Sequence, residues 1–372
     1  MPERVSSAAP GPSGTVRLRF TAASREAQTH VNLSAVRLDG RALWVAGDET
    51  ATLERLVVSE DGSGYGEQVT YHLADLVDLP GPASEEADVE GLARSGPFLW
   101  AVGSHSLKRK RVKAEHDGAK AFRRLAGVVD EVNRHVLLRL PVQDDEHGLP
   151  APVRATGSGA QRLTAAVLGG PGDRTLRDVL ADDEHLGPFV AIPSKDNGLD
   201  VEGIAVAGER VYLGLRGPVL RGWAFVVELA PYVDPGAPGR LRLRDLEDGR
   251  PYRKHLLDLG GLGVRDLCPH GEDLLVLAGP TMDLDGPVRV HRWHGACTVE
   301  APAVLRGDDL TPELDLPYGP GVDHAEGIDV LEGPGGTDDG GGERLLVVYD
   351  SPAPQRLGDD GAVVADVLPL RR

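Results

Sequence analysis

The chain has 372 residues and a formal net charge of -18, from 58 acidic and 40 basic side chains. A field of this sign repels a phosphate backbone, so the composition argues against nucleic acid as a partner. Apolar runs are too short for a signal peptide or a membrane span, and we expect a cytoplasmic protein without a membrane partner. The 48 Gly and 28 Pro, with short Val- and Leu-rich strings between them, favour many short strands.

The N-terminal region contains a predicted disordered leader at 1–14 and a strand candidate, "TVRLRF", at 15–20. This strand precedes the first hairpin and has no hairpin partner of its own. We therefore expect it to pair with a strand near the C-terminus.

A hairpin pattern recurs five times along the rest of the chain. "NLSAVRLDGRALWVAGDET", "DVEGLARSGPFLWAVGSHS", "DVEGIAVAGERVYLGLRGP" and "GVRDLCPHGEDLLVLAGPT" align without gaps, and the fifth copy starts at "HAEGIDVL". Turn residues separate two apolar strands in each copy, which indicates a β-hairpin. The fifth copy carries an insertion, "EGPGGTDDGG" (332–341), with the composition of a loop tip. One alignment column contains Ser34, Glu90, Glu202, Arg265 and Glu326.

Third and fourth strand candidates follow most hairpins, such as "AFVVELA" (224–230) and "KHLLDL" (254–259). Repeated units of four antiparallel strands are typical of a β-propeller. We predict a single all-β domain at 15–372, a β-propeller of five four-stranded blades in which the N-terminal strand closes the last blade. The interval between the second and third copies is twice as long as the others. It is interpreted as two mainly helical insertions in blade 2, at about 107–133 and 143–187, and a sixth blade is the alternative.

Carboxylates are predicted to gather at one mouth of the propeller, because the first strand of each hairpin begins where the second ends. Glu90, Glu202 and Glu326 would repel one another there unless a positive charge lies between them. With Asp266 they form a candidate site for a divalent cation, Ca²⁺ or Mg²⁺. The protein's own Arg216 and Arg265 are the alternative counter-charges. A third interpretation is that each glutamate only braces a neighbouring blade.

The segment "SHSLKRKRVK" (104–113) follows the second strand of the second copy and is basic in an acidic chain. Its Ser104, Lys108 and Arg109, with Arg216 and Arg265, are candidates for binding a small anionic or phosphorylated molecule. A solvated loop is the alternative. His105 is the histidine at the mouth beside this segment, which makes it the candidate general base.

The strings "DVEGLA", "GSHSLKR", "DVEGIA", "LGLRGPVLRG" and "HAEGIDVL" resemble a bacterial family catalogued as domain of unknown function 3616, over nearly the whole chain. The resemblance implies a propeller-like fold and no established reaction. More distantly, the D-x-E-G pattern resembles the esterase-like domain of phytase and related six-bladed hydrolase propellers. In those proteins acidic residues at the mouth can hold a divalent cation.

Two functions follow as hypotheses. The first is a metal-assisted hydrolase of a small anionic or phosphorylated ester, with His105 as base and Glu202 among the catalytic metal ligands. The second is a non-enzymatic propeller that binds a ligand or an unknown protein at the same mouth.

Overall fold

The computed structural model describes residues 14–246, 249–282, 284–331 and 342–370. Over these ranges the chain has a propeller-like all-β fold, built from short strands with few helices. Apart from Gly14, the predicted leader lies outside the described residues, as does the predicted loop tip at 332–341. No helix in the described ranges is long and apolar enough to cross a membrane.

The first sheet contains four antiparallel strands in the order β2-β3-β4-β5, preceded by an N-terminal strand and a short helix. Its last strand, β5, also pairs in parallel with β1, which connects this sheet to the fifth sheet. Gly40 in the first turn of the first sheet has a φ of 60°, a left-handed conformation that glycine adopts at low cost. The elements are β1 (Gly14–Arg19), α1 (Ala22–Glu26), β2 (Leu33–Asp39), β3 (Ala42–Gly47), β4 (Thr52–Val58), β5 (Gly64–His72) and α2 (Leu73–Leu76).

The second sheet has the order β6-β7-β10-β14, and short elements lie in its connections. They are β6 (Val89–Ser95), β7 (Phe98–Gly103), β8 (Lys108–Arg109), α3 (Gly118–Ala126), β9 (Val128–Val129), β10 (Leu137–Asp144), β11 (Pro150–Pro152), β12 (Ala155–Thr156), β13 (Leu163–Thr164), β14 (Ala166–Leu168) and α4 (Leu176–Leu180).

The two insertions are less helical than the sequence predicts. In 107–133 the α-helix α3 covers nine residues, and it lies between β8 and β9, which pair with each other. In 143–187 the structure has the end of β10, four short strands and the five-residue helix α4. In 143–187, Pro150, Pro152 and Gly157 explain the difference, because these residue types interrupt a helix whatever the charge pattern around them.

The third sheet has the order β15-β16-β17-β20 and the fourth the order β21-β22-β23-β25. A hairpin of β18 and β19 leaves the third sheet and extends the second, where β19 pairs with β14. The elements are β15 (Asp200–Ala207), β16 (Arg210–Leu220), β17 (Trp223–Leu229), β18 (Pro231–Asp234), β19 (Ala237–Leu243), β20 (Arg253–Asp258), β21 (Gly263–His270), β22 (Asp273–Gly279), β23 (Val288–Trp293), β24 (Val304–Leu305) and β25 (Leu310–Leu316).

The fifth sheet joins both ends of the chain. It consists of β26 (His324–Leu331), β27 (Arg344–Asp350) and β28 (Ala362–Pro369), and β1 is its fourth strand. β1 lies antiparallel to β28, from Gly14 opposite Val367 to Arg19 opposite Ala362, which is the pairing that the sequence predicts. Short 3₁₀ helices occur in the connections, at Thr29–Val31, Val132–His135, Gly159–Gln161, Gly187–Phe189, Ser194–Asp196, Ala296–Thr298, Gly307–Asp309 and Pro354–Arg356.

Apolar layers fill the space between neighbouring sheets. Trp44 of the first sheet and Leu92 of the second belong to one layer, and the other layers join sheets 2 and 3, 3 and 4, 4 and 5, and 5 and 1. The first strands of the sheets, β2, β6, β15, β21 and β26, contact one another in that order, and β26 contacts β2. The sheets therefore close a ring around these inner strands. We call the face where the inner strands begin the mouth.

Candidate functional site

Each inner strand has a β-bulge near its start. In β15 the pairing with β16 shifts between Val201 and Gly203, so Glu202 has no direct partner across the hairpin. Equivalent shifts in the other inner strands pass over Ser34, Glu90, Arg265 and Glu326. A bulge changes the direction of the side chain that it leaves unpaired. The aligned column is therefore one structural position that occurs five times, and we call it the bulge column.

The glycine after each bulge glutamate allows neighbouring sheets to approach closely. A Cβ on Gly203 would lie 2.9 Å from the backbone of Asp266 in β21, and one on Gly91 would lie 2.8 Å from Ile204 in β15. Gly327 stands in the same relation to the backbone nitrogen of Val36, at 3.0 Å. The "EG" pair thus combines a side chain at the mouth with a glycine that permits packing of one sheet on the next.

Arginines neutralise two of the three bulge glutamates. Arg216 Nη1 donates to Glu202 Oε1 at 2.8 Å. Arg265 Nη1 lies 3.2 Å from Glu202 Oε2 and also pairs with Glu326 Oε1. Glu202 and Glu326 therefore converge on one guanidinium, which supplies the positive charge that their position requires.

Glu90, the third bulge glutamate, has neither a hydrogen bond nor an ion pair to any residue that the structure describes. Burial raises its pKa well above the ordinary value, and the negative charges of Asp88, Glu202, Glu326 and Asp48 raise it further. The mouth thus has more carboxylates than the arginines beside it can pair.

Two further carboxylates at the mouth have strongly raised pKa values. Burial, followed by repulsion from Asp88 and Glu326, raises the pKa of Asp48 to about 9, and Oδ1 of Asp48 is buried without a hydrogen-bond partner. Burial and the charge of Glu202 raise the pKa of Asp200 to about 8. We call Asp48, Asp88, Glu90, Asp200, Glu202 and Glu326 the mouth carboxylates.

Asp266, a predicted metal ligand, does not face the mouth carboxylates. Its Oδ2 accepts from the backbone nitrogen of Ile328 at 2.9 Å, and its Oδ1 lies 3.2 Å from Arg37 Nη2. Asp266 follows Arg265 directly, so the two side chains point to different neighbours on the strand. Asp266 therefore braces a neighbouring sheet through a backbone N–H, whereas Glu202 and Glu326 contact the neighbouring inner strand β21 through Arg265.

His105, the predicted general base, is fully buried. It has a φ of 53° and stacks against His135 with ring centroids 6.4 Å apart. Neither ring nitrogen has a hydrogen-bond partner among the described residues. Burial lowers the pKa of His105 well below its ordinary value, helped by the nearby His135 and Arg177. The lowered pKa keeps the ring neutral, and none of the mouth carboxylates is among the charged groups that shift it.

The other residues predicted to bind an anion are engaged with protein groups. Lys108 Nζ donates to Glu86 Oε1 at 2.8 Å, and Arg109 Nε donates to Asp196 Oδ2 at 2.6 Å. Ser104 is buried, and its Oγ lies 3.0 Å from that of Ser106. The structure brings Ser104 near Asp88, but it leaves none of these cations free for a ligand.

Ligand sets for a metal ion are not preformed at the mouth. No group of three His, Cys, Asp or Glu side chains is close enough together to hold one in the described part of the chain. The mouth carboxylates are near enough to repel one another, yet they are spread around the ring.

Sequence analysis missed several residues that shape the mouth. Arg134 pairs with Asp88 and, at 2.6 Å, with Glu86 Oε1. Arg37 spans the ring below the bulge column and meets Asp266 and, at 3.5 Å, Asp329. For Arg37 and Asp329 the sequence contained a signal, namely a charged residue inside an otherwise apolar inner strand, as in "AVRL" and "GIDV".

Comparison with solved structures gives weak similarities that span most of the chain. The chain is similar to Kuenenia stuttgartiensis hydrazine synthase, with 10% identity, a TM-score of 0.31, and coverage of 86% of this chain and 56% of that one. For Bacteroides ovatus xyloglucan PUL GH43B the identity is 12% and the TM-score 0.35, with coverage of 92% of this chain and 52% of that one. For YCF48 from Cyanidioschyzon merolae the identity is 11% and the TM-score 0.30, with coverage of 95% of this chain and 99% of that one. The chain thus spans about half the length of the first two.

No curated protein matches the chain. A family model does match, over residues 32–366, and these residues include all five bulge positions and both insertions. The protein belongs to the family described as protein of unknown function (DUF3616).

Proposed function

We propose that the protein is a non-enzymatic binding scaffold whose mouth binds a cationic ligand. The observation that carries this proposal is the unpaired state of Glu90 among the mouth carboxylates. Glu90 is partly exposed at the mouth, and its carboxylate neighbours repel it. A bound cation would relieve this repulsion.

The distribution of charge around the bulge column supports a particular position for the ligand. Arg265 lies between Glu202 and Glu326 on one side of the ring. On the other side, Ser34 occupies the column between Glu326 and Glu90. Its Oγ donates to the carbonyl oxygen of Val89 and also lies 3.2 Å from that of Ala46. A ligand cation beside Ser34 would thus mirror Arg265.

An ammonium or guanidinium group is the cation that this position fits best. Glu202 and Glu326 already bind a guanidinium in the same column, through carboxylates that belong to different inner strands. The natural ligand class is a small polyamine or a basic side chain of another protein. The predicted Ca²⁺ or Mg²⁺ is a second occupant, which requires Asp48, Asp88 and Glu90 to turn toward one another.

The experiment is calorimetric titration of the protein with spermidine, arginine amide, Ca²⁺ and Mg²⁺ in low-salt buffer. We expect the organic cations to bind to the wild type and to lose about tenfold in affinity in Glu90→Gln, since loss of an attractive charge at a partly exposed site costs on the order of 1 kcal/mol. Glu60→Gln removes an exposed carboxylate and is the matched control. Binding of none of the four, or equal binding by Glu90→Gln, would contradict the proposal.

A metal-assisted hydrolase of a small anionic or phosphorylated ester is the second proposal. One observation favours it: burial keeps His105 neutral, and its ring nitrogens have no described partner. Because the ring is fully buried, it can act as a base only after the loop that carries it opens. Hydrolysis of generic phosphate and carboxylate esters in the presence of Mg²⁺, lost in His105→Ala, is the expected result for this activity.

We also infer that the five sheets are the blades of a five-bladed propeller. The support for this count is the closed order of inner-strand contacts, together with five interlocking apolar layers.

A further inference from the structure

The insertion between β7 and β10 forms a projection at the edge of the mouth. β8 and β9 pair at its base, and α3 lies between them in the sequence. Ion pairs from Lys108 to Glu86 and from Arg109 to Asp196 hold the base against the ring. None of the residues of α3 is buried, so the helix lies on the surface along its whole length.

This projection exposes large apolar side chains that ordinary globular surfaces keep covered. Phe122 is 78% exposed and Leu125 is 52% exposed. Of the ten exposed large hydrophobic residues in the described ranges, five lie in this one segment: Val112, Phe122, Leu125, Val128 and Val132. A concentration of this kind marks an interaction site.

The same segment concentrates positive charge that the protein does not neutralise. Six cations have no ion pair with a described carboxylate, in a chain whose formal net charge is -18: Lys110, Arg111, Lys113, Lys120, Arg123 and Arg124. The negative charges elsewhere on the protein act only weakly on this segment, because exposed charges are largely screened beyond the Debye length, which is about 8 Å at physiological ionic strength. Locally, the projection is a basic surface.

Charge and apolarity occupy opposite sides of α3. Ala119, Phe122 and Ala126 are spaced by three and four residues and share one side, which Leu125 flanks. Lys120, Arg123 and Arg124 are spaced in the same way on the other side. A helix with aromatic and leucine side chains on one face and lysine and arginine on the other is typical of segments that lie in a membrane interface.

We propose that this projection docks the protein on an anionic lipid surface, with Phe122 and Leu125 inserted at the headgroup boundary and the six cations at headgroup level. A stable protein partner needs about 800 Å² of surface on each side. A nine-residue helix is about 14 Å long and offers two large apolar side chains, which is little for such an interface but sufficient for peripheral lipid binding. Docking would hold the mouth close to the lipid surface.

The test is sedimentation of the full chain with vesicles made of equal parts phosphatidylglycerol and phosphatidylcholine, and with vesicles of phosphatidylcholine alone. We expect binding to the anionic vesicles only, and weaker binding as salt is added. The double variant Lys120→Gln and Arg123→Gln should weaken partitioning about fivefold for each charge removed. The double variant Phe122→Gln and Leu125→Gln should weaken it by on the order of tenfold or more, since two apolar side chains no longer leave water.

Arg162→Gln with Arg306→Gln is the matched control, because both arginines are exposed and form no ion pair with described residues. This variant should bind as the wild type does. Three outcomes would overturn the proposal: no binding to anionic vesicles at low salt, equal loss in the control variant, or a wild-type dimer that Phe122→Gln and Leu125→Gln dissociate without any vesicle binding. Unchanged melting temperatures verify that each variant is folded, which is expected because the altered side chains are exposed.

Discussion

Arg37 connects four inner strands through a single side chain. From β2 it donates to the carbonyl oxygens of Leu92, Ile328 and Leu267, which belong to β6, β26 and β21. Its guanidinium is 5% exposed and also faces Asp266 and Asp329. Because every donor has a protein partner, Arg37 fixes the ring from inside, one level below the mouth.

Replacement of Arg37 by methionine should therefore be strongly destabilising. The change removes the positive charge between Asp266 and Asp329, which keep only neutral donors, and three carbonyl oxygens lose a donor. Loss of one partner from a buried ion pair typically costs about 3–5 kcal/mol. Urea unfolding followed by fluorescence measures this loss. Arg17→Met is the control, since its partner Asp360 is about half exposed and such pairs contribute at most about 1 kcal/mol. Similar losses in the two variants would show that Arg37 is not the brace described here.

The raised pKa values of the mouth carboxylates predict that the protein becomes less stable at alkaline pH. Burial raises the pKa of Glu326 to about 7, of Asp200 to about 8 and of Asp48 to about 9, all above their values in an unfolded chain. The folded state then holds protons that the unfolded state has already released, so the contribution of these groups is full at low pH and is lost as pH rises through about 7 to 9.

Unfolding in urea at pH values from about 7 to about 9 should show this loss, with a slope on the order of 1 kcal/mol per pH unit. His135 and His291 add little in this range, because burial lowers the pKa of each to about 4. His324 adds to the loss, because its contacts with Asp350 and Asp285 raise its pKa. Asp48→Asn should reduce the slope. A stability that is flat or rises between these pH values would contradict the raised pKa values.

At the scale of strands, the sequence predicted more of the fold than of the contacts. The ungapped alignment identified the inner strands because the bulge and its glycine recur at fixed positions. In three of the strands this position is visible in the sequence as a glutamate followed by a glycine. The prediction of mainly helical insertions was largely wrong. In 143–187 the reason is that local charge patterns do not reveal that β10 extends and pairs with β11. Pairing of Arg265 with two glutamates was one of two alternatives, and only the positions of three strands decide between them.

The glycine at the bulge of β15, Gly203, should be required for stability. Gly203→Ala would place a Cβ 2.9 Å from the backbone of Asp266, which cannot move without displacing β21. Overpacking of this kind costs about 1–3 kcal/mol, which thermal unfolding detects. Gly239→Ala in β19 is the control, because its Cβ would meet nothing within 4 Å. If both variants melt together, close packing at the bulge is not what requires glycine.

For the whole molecule, the arrangement of charge around the ring distinguishes this mouth from a symmetrical one. Five similar hairpins place five side chains in one column, but their identities differ, with Arg265 on one side and Ser34 on the other. The sequence predicted the column and its uneven composition. It could not predict which glutamate stays unpaired, because that depends on how far each arginine reaches across the ring.

The most direct measurement for the proposed cation site is the melting temperature of ligand-free Glu90→Gln, compared with the wild type at a pH above about 9, where Asp48, Asp200 and Glu326 are ionised and the mouth carboxylates repel most strongly. If Glu90 is an unpaired carboxylate that can bind a cation, its neutralisation relieves repulsion, and the variant should melt about 1–2 °C higher, the shift that a gain of about 1 kcal/mol produces in a chain of this length. If Glu90→Gln melts lower than the wild type, the glutamate is a structural brace, and the account of the mouth as a cation site is contradicted.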